Sequence, residues 1–134
     1  MTSPCARHGC SACCWDTQMP LTEEDAARLA ALGHDIASFS RVGEDGVRYL
    51  RTRDEPRADG QRPCFFLRDG LCAAYADRPA GCRTYPFVLT TDGKVVRDED
   101  CPHAREFPRD PATGRRLQRI AFTLHREAER RRLP

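Results

Sequence analysis

Lysine is nearly absent: Lys94 stands alone against 21 arginines among 134 residues. Large apolar side chains are scarce too, since Leu, Ile, Val and Phe together number 23. So thin an apolar complement signals disorder when net charge is high. Here the formal net charge is only +2, and turn and helix signals recur along the chain. The expectation is a folded chain with a small core that needs staples. No apolar run approaches the roughly 18–20 residues of a membrane span, which excludes a spanning helix. The first residues lack the basic start and apolar run of a secretory signal, so a reducing, cytoplasmic location is expected. There is no Gly-rich phosphate loop, no dinucleotide fingerprint and no supported Ser-His-Asp set, so no enzyme class is indicated. The arginine excess could grip phosphate bidentately, but an Arg-favouring codon bias accounts for it as well. Nucleic acid is not an expected partner on that ground.

On length the chain reads as one domain, residues 1–134, with a cysteine-rich core over 5–103 and a C-terminal helix over 115–132. Thr22 with Asp25 three residues on makes a capping-box-like start to a helix running to Leu32, ended by Gly33. Ala26, Leu29 and Leu32 form its narrow apolar face. Asp35 starts a short helix to Ser40, Val47 to Thr52 reads as a strand, and Arg53 to Arg62 as a polar loop. Asp69-Gly70 is a turn signal between Cys64–Leu67 and Leu71–Tyr75. Asp77 is expected to cap a short helix with Pro79 in its first turn. Phe87–Thr91 and Lys94–Arg97, joined by Asp92-Gly93, are the clearest hairpin. The predicted class is α+β, with short helices and β-hairpins organised around a cysteine metal cluster.

Cysteine is what the chain has in plenty, and eight thiols in a reducing compartment point to metal rather than disulfides. Four fall in the first nineteen residues (Cys5, Cys10, Cys13, Cys14) and four between 64 and 101 (Cys64, Cys72, Cys82, Cys101). Cys10-x2-Cys13 is a knuckle spacing, with two thiolates on a tight turn that can converge on one ion. Redox proteins share that spacing, but the βαβ context they need is missing. Cys13 and Cys14 are adjacent, and neighbours on extended backbone point to opposite faces. They are therefore expected to face two sites, or to leave one thiol bridging or free. Two four-thiolate sites would use all eight cysteines, and one four-iron cluster would use four. His8 and His103 lie near cysteines and are rival ligands, whereas His34 and His125 are expected at the surface. Asp98-Glu99-Asp100 reads as a solvated loop.

Several of these segments are similar to one known family. Cys10-Ser-Ala-Cys13-Cys14 resembles the end of the C-x2-C-x2-C-C motif of the YkgJ-type cysteine-cluster family, a zinc- or iron-chelating domain. Cys64-Phe-Phe-Leu-Arg-Asp-Gly-Leu-Cys72-Ala-Ala-Tyr75 resembles its next segment. Arg78-Pro79-Ala-Gly-Cys82-Arg83-Thr-Tyr85-Pro86-Phe87 resembles its most distinctive block, and Cys101-Pro102 its last cysteine. The likeness runs over roughly residues 5–103. It departs at the start, where Arg7 occupies the place of the first motif cysteine and Cys5 lies two residues earlier. The resemblance implies chelation by the cysteines; larger relatives of this type are associated with flagellin lysine methylation. Arg78 and Arg83 would offset the excess negative charge of the thiolates, and Tyr85 with Phe87 would wall the site from water.

The expected function is thus zinc or iron binding by thiolates, for structural or metal-handling purposes. The alternative is an iron–sulfur protein acting in redox, or as an enzyme or accessory of a modification reaction. All-thiolate tetrahedral sites suit zinc and iron alike. The metal ion is the one partner the residues indicate; no protein partner is.

Overall fold

A computed structural model describes residues 4–133, and residues 1–3 and 134 of the expected 1–134 span lie outside the described residues. In chain order, helix α1 (Pro4–His8) is followed by a 3₁₀ turn (Ala12–Cys14), strand β1 (Pro20–Leu21), α2 (Glu23–Ala30), α3 (Ile36–Phe39), β2 (Ser40–Val42) and β3 (Arg48–Leu50). The second half holds a hairpin of β4 (Leu67–Arg68) and β5 (Leu71–Cys72), a 3₁₀ turn (Tyr75–Asp77) and α4 (Ala80–Thr84). Then come a hairpin of β6 (Phe87–Leu89) and β7 (Val95–Arg97), a 3₁₀ turn (Ala104–Glu106) and α5 (Pro111–Arg132). Strands β1, β3 and β2 form one antiparallel sheet in that order, with Pro20 opposite Tyr49 and Ser40 opposite Leu50. The fold is α+β.

Local chemistry explains most of the elements. The capping box is present: Thr22 Oγ1 accepts from Asp25 N at 3.0 Å, and Asp25 Oδ2 accepts from Thr22 N at 3.1 Å. Asp69 and Gly70 both have positive φ, 51° and 77°, as a two-residue hairpin turn of the right hand requires. Four expectations are corrected. Asp77 closes a 3₁₀ turn instead of capping a helix, and α4 begins after Pro79, which stands at the cap position with no side-chain cap. Helix α2 stops at Ala30, leaving Leu32 44% exposed rather than on the buried face. The last helix starts four residues earlier than 115, at Pro111, because Asp110 accepts from Ala112 N and Pro takes the first helical position. His34 is half-buried, its ring edge-on to Phe65 and Phe66.

Leu21, Leu29 and Phe39 are fully buried and pack with Leu50, Phe66, Leu67 and Cys64 in one cluster. Each such aliphatic or aromatic side chain contributes about 1.5–3 kcal/mol on burial. Three charged residues then tie the elements together. Asp25 is buried, pairs with Arg28 at 2.8 Å, and accepts from Ala80 N at 3.0 Å, fixing α2 to the start of α4. Buried Glu127 on α5 accepts from Glu23 N at 2.9 and 3.1 Å, at the positive end of α2. At Gly81 a Cβ would lie 2.4 Å from Met19 Sδ, so α4 reaches the Met19 segment only without a side chain there.

Asp25→Ala removes the capping partner, the Arg28 pair and the Ala80 bond together. The expected loss is about 3–5 kcal/mol, the range for breaking a buried ion pair, read from urea denaturation of the protein as purified. Arg115→Ala, on an exposed helix position, should change stability by no more than about 0.5 kcal/mol.

Candidate metal centre

The two cysteine groups meet. A cavity of about 340 Å³ is lined by Cys5, Cys10, Cys13 and Cys14 from the N-terminal segment and by Cys64, Cys72 and Cys82 from the second half. Backbone hydrogen bonds fix the approach: Cys64 N donates to Cys14 O at 2.6 Å, and Cys10 N to Cys5 O at 2.9 Å. Cys64 enters from the hydrophobic cluster, Cys72 from β5 and Cys82 from α4. Cys101 is buried outside this lining but close enough for the charges of Cys10 and Cys13 to act on it, and for its own to act on Cys5. Cys13 and Cys14 both line this cavity. The reason is the 3₁₀ turn over Ala12–Cys14: three residues per turn set neighbouring side chains about 120° apart rather than on opposite faces.

The electrostatics are those of thiols held in a poorly solvated place. Burial pushes Cys64 up to about 11, and it likewise raises Cys5, Cys72, Cys82 and Cys101. Cys13 runs the other way, down to about 7, because the Cys14 thiol donates a hydrogen bond to it; Cys14 is raised by that same bond. A repeated backbone motif opposes burial at three sites. The backbone N–H groups of Phe66, Ala74 and His103, each two residues on, hold the thiols of Cys64, Cys72 and Cys101 down against burial. Donors aimed at sulfur favour the thiolate, the form that binds a cation. All eight cysteines are free.

The model of one protein family, CxxCxxCC, described as "Putative zinc- or iron-chelating domain", matches residues 4–102. The chain belongs to this family. No curated protein and no solved structure matches it. Metal chelation by the domain is therefore the general activity, and the residues around the cavity show how this CxxCxxCC member would support it.

Of the three residues expected around the thiols, Arg78 and Tyr85 line the cavity and Arg83 does not. Arg78 is the one charged side chain on that lining among the described residues. Its guanidinium lowers Cys5, Cys13, Cys72 and Cys82, opposing burial in each case. It stacks over the Tyr75 ring at 3.9 Å and donates to Tyr75 O at 2.9 Å. Arg83 is exposed and reaches carbonyls, not sulfur: Nε donates to Arg78 O at 3.1 Å and Nη2 to Ala76 O at 2.8 Å. It braces the loop that carries Arg78. The Tyr85 hydroxyl donates to Asp98 at 2.6 Å, and burial with that bond raises the phenol. Phe87 is buried but lies on a separate outer groove.

Arg53 is a residue that sequence reading left in a polar loop. One of its nitrogens donates to the carbonyls of Cys64, Phe65 and Leu67 at 3.1, 3.1 and 2.6 Å, holding the Cys64 bend in shape. Nothing in its local sequence marks it, because its partners lie 11 to 14 residues on. His8 and His103, the rival ligands, are absent from the cavity lining; both turn to Glu106 instead.

Arg78→Gln removes the cavity's positive charge and should weaken metal retention about 10–100-fold, measured by competition with a chromogenic chelator. Arg83→Lys, which loses the two-carbonyl fork, should weaken it less, and Arg130→Lys not at all. Equal affinities in all three variants would remove Arg78 from the site.

Proposed function

We propose that the protein binds zinc or iron through the cysteine thiolates of this cavity, and that the ion ties the N-terminal segment to residues 64–101. The observation that carries the reading is the convergence of seven cysteines, from segments some fifty residues apart, on one cavity with Arg78 beside them. The backbone N–H groups near Cys64, Cys72 and Cys101 support it, since they favour the thiolate that binds a cation. Cys5, Cys10, Cys13, Cys14, Cys64, Cys72 and Cys82 are the proposed ligand pool, with Cys101 at its edge. A bound metal would supply cross-linking free energy, on the order of 10–16 kcal/mol for structural zinc in small peptides. That matches a thin apolar core. No helix among the described residues is long and apolar enough to cross a membrane; free thiols in this number suit a reducing compartment.

Elemental analysis of anaerobically purified protein tests the reading, combined with X-ray absorption for sulfur ligands at about 2.3 Å. Colourless protein with zinc, or brown protein with iron, is the expected pair of outcomes. Metal-free protein with all thiols open to titration would overturn it. Complete chelation should abolish the near-UV circular dichroism of the cysteine segments and lower the thermal midpoint. Helix α5 should keep part of its helicity, because Leu117 and Ala128 bury an apolar stripe of their own.

Acid should release the metal. Burial raises the thiols, so protons must leave before sulfur binds a cation, and affinity strengthens as pH rises. Retention should fall on acidification by more than about tenfold per pH unit if more than one proton returns per ion. Metal retention that is flat or improves toward low pH would contradict thiolate ligation.

A further inference from the structure

His8, His103 and Glu106 converge outside the cysteine cavity. The two imidazole rings stack with centroids 3.9 Å apart and planes 6° from parallel, although the residues are 95 positions apart in sequence. Both present a nitrogen to one carboxylate: His8 Nε2 lies 2.9 Å from Glu106 Oε1, and His103 Nδ1 lies 2.9 Å from Glu106 Oε2. The three ligand atoms all lie within 4.8 Å of one another.

Local structure makes this arrangement firm. His103 and Glu106 are three residues apart on a 3₁₀ turn, where such side chains eclipse. Glu106 N donates to His103 O at 3.0 Å, and Ala104 N to Cys101 O at 3.2 Å, locking the turn to the Cys101 segment. His8 ends α1, between Cys5 and Cys10.

We propose that His8, His103 and Glu106 form a second metal site, distinct from the thiolate cavity, for a borderline divalent ion of the zinc class. Two imidazoles and a carboxylate are a donor set that zinc accepts with a fourth position left to water. Nitrogen and oxygen ligands without thiolate suit zinc, nickel or copper and disfavour the softer ions. Binding requires no charged histidine to be discharged if each ring is neutral. Moving the proton to the far nitrogen turns a lone pair toward the ion. To close onto bonds of about 2.0–2.2 Å the two stacked rings must tilt toward each other, since their lone pairs now run nearly parallel. Arg7 opposes a cation here, 3.6 Å from Glu106, but the contact is long and both side chains are about half exposed, so Arg7 can swing into water. An ion here would clasp the segment bearing Cys5 and Cys10 to the segment bearing Cys101.

The probe is zinc alone, added to protein whose thiolate centre is already saturated, with the imidazole nitrogens followed by ¹H–¹⁵N NMR. His8 and His103 should take metal-bound shifts as one further equivalent binds, while exposed His125 and half-buried His34 stay unchanged. Glu106→Gln should weaken that binding at least about tenfold, the least that losing even an outer partner of a metal site costs, with the thiolate-bound metal undiminished. No imidazole shift with excess zinc, or an unaltered shift in Glu106→Gln, overturns the site. So does finding either histidine already bound to the sulfur-ligated ion. Because the readout is on histidine nitrogen, it stands even if the cysteines prove metal-free.

Discussion

The structure turns on one constraint: thiols brought together under low solvation cannot ionise together unless positive charge joins them. Removing a charge from water is expensive, and like charges at close range compound that cost. The chain places Cys64 inside its hydrophobic cluster and on the wall of the cysteine cavity at once. The apolar core and the candidate metal centre are thus contiguous. On the proposed reading, a small core that stops at a cavity lined with thiols has an edge that a cation would complete.

Around that edge the fold uses polar clamps in place of apolar bulk. Asp25 fixes α2 to α4, Glu127 fixes α5 to α2, and Arg53 shapes the Cys64 bend with three carbonyls. Each clamp joins segments far apart in sequence, and each is satisfied by geometry that a hydrophobic contact would not impose. Apolar packing is non-directional; hydrogen bonds with fixed angles are not. A site that must present several sulfurs to one volume needs the second kind of constraint, because small errors in a bend redirect the side chain it carries.

The legibility of the chain follows the range of the interaction. Local rules held where a few neighbouring residues decide: the Thr22–Asp25 box, the Asp69-Gly70 turn and the hairpin over 87–97 were all readable. The cysteine spacing and the Arg78–Phe87 block were readable as a resemblance. The sheet β1–β3–β2 was only partly so, since its strands are two or three residues long and period-two alternation needs more. That Cys13 and Cys14 lie on a 3₁₀ turn was not readable, since nothing in their local sequence separates that turn from extended backbone. Arg53, Glu127 and the His8–His103–Glu106 group were invisible, as all depend on pairs brought together by the tertiary fold.

Charge arithmetic then limits how the cavity would be used on the proposed reading. Seven thiolates around one dication would leave about five excess negative charges, with Arg78 offsetting one; a poorly solvated site does not tolerate the rest. Four thiolates on a dication with Arg78 beside them leave about one, which solvent and backbone N–H groups can carry. The remaining cysteines must then keep their protons or take a second cation. Cys14 is the natural holder of a proton: its thiol donates to Cys13, favouring Cys13 as a thiolate ligand while keeping Cys14 neutral. A second ion would convert that donor into a ligand. On that reading, adjacent cysteines on a 3₁₀ turn would let the same backbone serve a single ion or two.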